Sequence, residues 1–579
     1  MMRLSRICLS AVLPAIFPFV AGAQNLNPTV EVSRQYRGSL MELDKPSVEM
    51  AVPDSVLQFN LQFDYSVFDS PFKGAYEFRP FLMDMDIAPG YVDARKLYLR
   101  TGAGYTLHPE LDFVWSPVRN DKFRLSLYAQ HRSYVGKYRA LGLETEGGVT
   151  GIVPDGSRFS GHDLVTEAGI DGSFDWETGV LDFRTGYYGT ALKDTTVSRG
   201  YNAFDMNFGI ASKQMAGNHF VYDAEAGYRY AEDIFTYTGL QKDRMSEHNL
   251  NLDVSLGGAF GSGHSFLLGI GLDYASYGGV FDSDAGNVTL GPRYLYSSGR
   301  WNLDIGAKLA FLFRSNGPDS PFMMNMAKGQ IIYPDLNISF AAVKKYLDIY
   351  FAAGGGPDIN TYSSLLASGR HITPLYNIVS GAPLLDNTVE RVSLSVGIKG
   401  NIASRLRYDL STGYRNFANA PLATVAAGPD RLYPGIAYDA WQMFFAKLDF
   451  AWVSQDVKID GWLQYQSTDA ARRNAALFAP PALAGKVDFQ YNWKERIFFG
   501  VGCGFSTARY GSLSGMAVPE ARSLKVPAFA DLGISLEYAF TRKFSLWIKG
   551  GNMLDMTIQY TPLYSESGIY FTAGICLNL

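Results

Sequence analysis

The chain has 579 residues, of which 47% are hydrophobic and 14% aromatic, with 59 Gly, 36 Tyr and 38 Phe. A mean hydropathy of -0.05 excludes a bundle of membrane helices, whereas abundant aromatics and glycines suit a β-rich membrane protein. The formal charge of -5 disfavours nucleic acid as a partner, because that partner wants a basic surface.

The chain opens on a targeting pattern. Arg3 and Arg6 precede an apolar run from Ile7 to Val20, and Ala21-Gly22-Ala23 follows before Gln24. Charge, apolar core and small-residue exit predict a secretory signal peptide over 1–23, too short for a spanning anchor. Losing Arg3 and Arg6 leaves 49 basic against 56 acidic residues, a net charge of -7. No Cys follows the exit, so lipid attachment at the mature terminus is not expected. Cys503 and Cys576 remain, each in an alternating segment, and read as isolated small apolar residues.

Residues 24–95 read as a periplasmic or luminal segment, a candidate mini-plug. Leu57, Phe59, Leu61, Phe63, Tyr65 and Val67 alternate with polar residues, which predicts a strand. Tyr76, Phe78, Phe81 and several prolines after it predict irregular chain. Counting this strand in the wall would make the strand total odd, so it is expected below or inside a barrel.

From 96 onward, period-2 alternation dominates. Leu250, Leu252, Val254 and Leu256 alternate with Asn251, Asp253 and Ser255. Phe266, Leu268, Ile270 and Leu272 alternate with glycines and Asp273. Trp301, Leu303, Ile305 and Ala307 alternate with Asn302, Asp304 and Lys308 further on; Phe444, Ala446, Leu448 and Phe450 alternate with Lys447 and Asp449. Charges keep to one parity, as in a wall with lipid outside and water inside. Short polar turns, such as Ser297 to Arg300, Val453 to Asp456 and Thr541 to Lys543, alternate with long stretches. The long ones are Tyr134 to Ser160, Ser315 to Lys328, Gly354 to Leu385, Asn419 to Pro434, Ser467 to Pro481 and Ser506 to Arg522.

Strands are expected to begin near 96, 109, 121, 162, 179, 203, 218, 247, 264, 286, 300, 329, 346, 387, 403, 437, 456, 485, 496, 524, 543 and 567. The fold expected is therefore all-β: a transmembrane antiparallel β-barrel over 96–579 with 22 strands, within a range of 16–22. Arg100, Arg124, Asp304, Lys308, Lys447 and Asp449 fall on the inward parity as candidate lumen-lining charges. They would either line a pathway or pair to fill the lumen. Trp301, Trp441, Trp452, Trp493 and Trp547 lie near strand ends, where aromatic side chains mark a membrane interface.

Catalytic patterns are weak. The seven His make neither a metal-binding helix pair nor a ligand pair on a strand, so no zinc site, metal or cofactor is expected. His131 and Ser133 could begin a hydrolase site, but a polar pair on a wall explains them better. Asp282, Asp284 and Gly286 resemble the start of a calcium loop, but the later Glu is missing and a turn fits better. Gly511-Ser512-Leu513-Ser514-Gly515 misplaces its serines for a nucleophile elbow. No enzyme is predicted.

The end of the chain carries the most specific pattern. Leu546-Trp547-Ile548-Lys549-Gly550-Gly551-Asn552-Met553-Leu554 precedes Tyr560-Thr561-Pro562 and Ser567-Gly568, then a final two-faced strand with Phe571, Ala573, Ile575, Leu577 and Leu579 on one side. This resembles the last strands of TonB-dependent receptors, with Leu579 where those receptors usually end in Phe. The resemblance is specific over the last forty residues or so, and architectural over 96–545. It implies a Gram-negative outer-membrane barrel that binds or transports a substrate. It implies outer-membrane lipid, the barrel-assembly machinery and TonB or a periplasmic or surface lipoprotein as partners. It also implies that Phe571, Ile575, Leu577 and Leu579 form the assembly signal. Thr29-Val30-Glu31-Val32-Ser33 is loosely similar to a TonB box, although a plain periplasmic tail explains it better. The departure is the plug: only 72 residues separate the signal from the first wall strand. Residues 24–95, inward-folding loops or a partner must then close the lumen. The alternative function is a non-transporting barrel subunit or scaffold of an export or assembly complex, and a passive porin is a third.

Overall fold

The computed structural model describes residues 96–579, apart from 106, 195–196, 214–219, 238–241, 262, 316–321, 324–328, 373, 375–376, 378–381, 404, 428–431, 471–476 and 515–521. The signal peptide, the segment at Thr29–Ser33 and the strand expected at Leu57–Val67 lie outside the described residues.

Alternation becomes wall. Twenty-two strands form one closed antiparallel barrel. The seam closes where Leu97–Gly104 pairs on one side with Glu110–Arg119 and on the other with the last strand, Tyr570–Asn578. Leu99 stands opposite Leu577 and Thr101 opposite Ile575. The side chains sort as a period of two requires. Phe204, Met206, Phe208 and Ile210 are exposed on the outer face, as are Leu250, Leu252 and Leu256, and Phe266, Leu268 and Ile270. A continuous apolar belt of this kind has lipid, not water, as its solvent. The intervening residues, among them Asp205, Asn207, Asn251 and Asp253, point inward.

The turns at one end are tight, as at Thr541 to Lys543, where Thr541 Oγ1 accepts from the backbone N–H groups of Lys543 and Phe544. The other end departs from expectation. Tyr134 to Ser160 is not a loop: the strands Phe123–Glu146 and Val149–Trp176 run through it, 24 and 28 residues long. They meet at Gly147 and Gly148, both at positive φ, where a side chain would be strained. Asn419 to Pro434 is likewise strand, within Leu406–Ala427 and Leu432–Val453, each of 22 residues. Prolines and glycines in these stretches suggest loops, yet a ladder of cross-strand pairs overrides them. A membrane-crossing strand needs roughly 9–11 residues, so both hairpins project well beyond the lipid at the long-loop end.

The stretch Ser506 to Arg522 also holds order. The strands Arg509–Ser514 and Arg522–Val526 pair with each other and run parallel to the two projecting hairpins. Leu513 meets Val425 on one, and Leu524 meets Thr150 on the other. Ile152, Val425, Phe478, Leu513, Leu524 and Val526 form a buried apolar cluster there.

Two smaller corrections concern side chains. Trp301 and Trp493 are exposed on the outer wall, but Trp441 and Trp547 are buried. Trp441 packs against Phe417, and Trp547 donates its indole N–H to the Ile575 carbonyl at 3.2 Å. Asp284 and Gly286 are strand residues within Ser283–Ser298 rather than parts of a turn. Cys503 and Cys576 are both free thiols.

Candidate functional site: a lumen closed by its own loops

The described residues of the long stretch between the strands Leu347–Ile359 and Leu385–Ile402 enter the barrel. Backbone permits it first. At Gly355 and Gly356 the strand register shifts, and both have positive φ (151° and 111°). A Cβ on Gly356 would stand 2.5 Å from the Tyr333 ring, so only glycine fits under that ring. Beyond the bulge, Thr361 caps a short helix, Tyr362–Ser368, by accepting from Ser364 N–H at 3.2 Å. Leu365 and Leu366 of this helix, with Ile372, Leu384 and Leu385, pack on inward residues of several strands: Tyr201, Ala203, Ala231, Phe235, Met245 and Ala275. Ile436 joins the same cluster. An apolar core inside a polar lumen is what a loop folded across the barrel produces.

Polar contacts lock this loop to the wall. Arg199 and Asp233, on neighbouring strands and almost wholly buried, form an ion pair at 3.0 Å. The Tyr362 hydroxyl donates to Asp233 and accepts from Arg199 Nη2 at 2.7 Å. Arg199 Nη1 also donates to the Arg370 carbonyl at 2.9 Å. Glu247 accepts from the Ser363 hydroxyl, from Ser363 N–H at 3.1 Å and from Asn249 Nδ2 at 2.7 Å. Arg370 then reaches a different part of the rim. Its guanidinium pairs with Asp163 at 2.5 Å and with Glu566 at 3.5 Å. His371 stacks on Tyr564, centroids 4.0 Å apart and the rings nearly parallel.

Glu566 and Tyr564 belong to a second closing segment, between the strands Phe544–Gly551 and Tyr570–Asn578. Asn552 ties it down by donating to the carbonyls of Met556 and Ser567. Gln559 donates to the Ile152 carbonyl at 2.8 Å, and Arg509 donates to the Gln559 carbonyl at 2.6 Å. Arg139 pairs with Asp555 at 2.6 Å. The second segment thus packs against both the first loop and the hairpin above it.

Burial sets the charge states of these loop groups. It pushes the His371 imidazole well below its ordinary range, with Arg370 and Arg199 adding to the effect. It raises the Glu566 carboxyl, although Arg370 opposes the rise. Burial works against the charge of Arg370 too, but Asp163 and Glu566 outweigh it and hold the guanidinium above its usual value.

Toward the short-turn end the lumen stays open as a polar cavity of about 1170 Å³. It runs from Arg119 and Arg124 near a tight turn to Asp358, Thr388 and Glu390 at the base of the closing loop. The inward charges anticipated from parity are placed as follows. Arg124 donates to Ser173 Oγ at 2.9 Å. Asp304 pairs with Arg293, and Lys308 with Asp335 at 3.2 Å. Lys447 pairs with Asp449 at 3.1 Å. Arg100 lies over the Trp547 ring, 4.2 Å from its centroid. The Lys447–Asp449 spacing recurs on the next two strands, as Lys458–Asp460 at 3.1 Å and Lys486–Asp488 at 3.2 Å. Phe571, Ile575 and Leu579 are exposed on the outside of the final strand, and Leu577 pairs with Phe544. His131 and Ser133 share a hydrogen bond of 3.2 Å, with Thr166 Oγ1 on the other ring nitrogen. Among the described residues no carboxylate completes a catalytic relay there.

The residues that lock the loop were not singled out from sequence. Arg199, Asp233 and Glu247 sit on the inward parity, where charge is ordinary. What distinguishes them is burial by a loop more than a hundred residues away in the chain.

Fold and closure together define a large transmembrane barrel of 22 strands whose lumen is blocked from the long-loop end. No family model matches the sequence, and no protein of curated function does. Among solved structures, the copper transporter OprC is similar over 84% of this chain and 80% of its own, at 11% identity and a TM-score of 0.59. The FrpB iron transporter from Neisseria meningitidis (F5-1 variant, apoprotein form) is similar over 84% and 81%, at 9% identity and a TM-score of 0.60. The siderophore receptor PiuA from Acinetobacter baumannii is similar over 83% and 82%, at 10% identity and a TM-score of 0.58. These are TonB-dependent receptors and transporters, and the chain shares their barrel fold.

Proposed function

We propose that this protein is a transport barrel of the Gram-negative outer membrane, with the short turns in the periplasm and the long loops outside. We further propose that its own loops form the gate. The observation behind the gate is the set of contacts, buried for Tyr362 and Ser363 and partly buried for Arg370, from the loop to distant strands of the wall. On this reading the closed state is the resting state, and a solute passes only when the loop 360–384 leaves its seat. Energy for that movement would come through the TonB-box-like segment Thr29–Ser33. The assembly machinery would recognise the final strand through Phe571, Ile575, Leu577 and Leu579.

Deletion of residues 24–34 tests the energised part. Loss of energy-dependent uptake with normal barrel insertion is expected, and uptake that survives unchanged removes TonB from the proposal. The density of buried contacts at the outer end also suits a barrel that never opens, serving as a subunit or scaffold of an export or assembly complex. Purification in mild detergent separates the two readings: a stoichiometric partner such as a lipoprotein, together with no conductance under any gating variant, favours the scaffold.

A further inference from the structure

We propose that the inner wall carries a site for a hard divalent cation, between the strands Lys242–Phe260, His264–Gly279 and Ser283–Ser298. The ladder places Asn251, Asp273 and Asn287 side by side: Asn251 is opposite Asp273, and Asp273 is opposite Asn287. One step toward the periplasmic end, Gly271 stands between Asp253 and Thr289. All face the luminal cavity.

Gly271 leaves a cradle there. A Cβ added to it would lie 2.3 Å from Thr289 Oγ1 and 3.0 Å from Asp253 Oδ1. Two oxygens from different strands therefore converge over a residue with no side chain. The second observation is independent. Asn287 is only 2% exposed, and its Oδ1 has no hydrogen-bond partner among the described residues. A buried amide oxygen without a donor is costly, and its lone pairs call for a cation or a bound water. Asn251 Nδ2 donates to Asp273 Oδ1 at 2.6 Å, which fixes one carboxylate oxygen and orients the group.

Two carboxylates, an amide oxygen and a hydroxyl make an all-oxygen donor set with no His or Cys. That is the chemistry of magnesium, calcium or manganese rather than of copper or zinc. Lys308, a competing cation that acts on Asp253, is itself paired with Asp335 at 3.2 Å. With four protein donors and an open luminal side, water completes the coordination.

The test uses the full-length protein purified in detergent and stripped with a chelator, with Mn²⁺ as probe followed by electron paramagnetic resonance. One saturable site per chain is expected. Asp273→Asn and Asp253→Asn should each weaken it at least tenfold. Gly271→Ala, which removes no donor and only fills the cradle, should weaken it as well. Heat-modifiable migration on gels verifies that each variant keeps its barrel. Absence of saturable binding by the wild-type chain overturns the site and leaves Asn287 to a water. Binding that persists unchanged in both Asp variants also overturns it, by placing the ion elsewhere. None of these outcomes depends on whether the barrel transports anything.

Discussion

Replacing Arg370 by Ala tests the gate most directly. The side chain spans two segments, Asp163 on the wall and Glu566 on the second closing segment, at 2.5 and 3.5 Å. Its carbonyl, held by Arg199, is unchanged by the substitution. Removing one partner of a fully buried ion pair costs roughly 3–5 kcal/mol, because a charge is left without compensation. Here the three side chains retain 25%, 15% and 25% exposure, so solvent screens part of that cost. The lower end, about 3 kcal/mol, is the appropriate figure. At about 1.4 kcal/mol per decade, the closed-to-open ratio falls by roughly two orders of magnitude. Because the contacts of Tyr362 and Ser363 remain, the loop stays mostly seated. The expected readout is a rise of roughly a hundredfold in the frequency of brief openings across a planar bilayer, not a permanently open pore. A double-mutant cycle with Glu566→Gln should show less than additive effects, since the two residues touch. Wild-type opening frequency in both Arg370→Ala and Arg370→Ala/Tyr362→Phe, in protein that keeps its heat-modifiable barrel, would refute the gate.

Three other outcomes follow from the same contacts. Tyr362→Phe removes a donor to Asp233 and leaves a buried carboxylate short of a partner; openings should increase by one to two decades, from a loss of about 1.5–3 kcal/mol. Acid should loosen the loop through His371. Its folded pKa is lowered, so its contribution to docking is intact above the ordinary value of about 6.5 and is lost as pH falls below it. Around His371 stand Arg370, Arg199 and Tyr564, with Asp163 and Glu566 on the far side of Arg370. Glu566 has the opposite sign: its raised pKa favours docking below about 4.5 and loses that contribution as pH rises. His371→Phe keeps the stack on Tyr564 and should abolish the component of opening frequency that grows between pH 6.5 and acid; an unchanged profile counts against His371 as its source. Truncation of Leu577 to Leu579 leaves Leu99 and Phe544 without their cross-strand partner and removes the Leu579 carbonyl that the Lys96 and Leu97 N–H groups share. The amount of inserted barrel should fall sharply, measured by the heat-modifiable band in membranes.

The wall was legible in the sequence because one rule governs it. Along Leu250 to Leu256 each residue declares its face by parity, because lipid enforces that rule, and in Phe266 to Leu272 Leu267 alone departs from it. Turns were legible for the same reason at the short-turn end, where two strands must reverse within a few residues. The outer end was not. Tyr134 to Ser160 contains Gly136, Gly142 and Pro154, which read locally as loop, yet cross-strand pairing outside the lipid carries the strands onward. Beyond the membrane no solvent enforces alternation, so the pattern fades while the structure persists. The closing loop was even less visible. Tyr362, Leu365 and Leu366 resemble any short apolar helix, and their partners Tyr201, Phe235 and Met245 lie in distant strands. One clue did exist: Tyr201, Phe235, Met245 and Tyr277 are large apolar residues on the inward parity, where the rest of those strands places Asp, Asn and Gly. Bulky apolar side chains on the luminal face need something apolar to cover them.

That clue also bears on why the lumen closes where it does. A 22-strand wall encloses more space than its own side chains fill. Here the inward face divides into two zones. The zone toward the short turns carries Asp253, Asp273 and Lys308 and remains an open polar cavity. The outer zone carries Ala203, Ala231, Ala275 and Ala285 among larger apolar residues. Small side chains there leave depth for a helix, and the aromatic ones grip its sides. An apolar zone of that size exposed to water would be unfavourable, so the wall itself favours an occupied state. The polar latches then choose the register: from the loop, Asp233 accepts the Tyr362 hydroxyl and Glu247 accepts both the hydroxyl and the N–H of Ser363. Hydrophobic burial seats the loop, and buried charge decides which loop and in what orientation. A gate built this way opens only if the apolar zone is covered by something else or if the latches are pulled apart by force. The first route assigns opening to a ligand entering from outside, and the second assigns it to an energised partner in the periplasm.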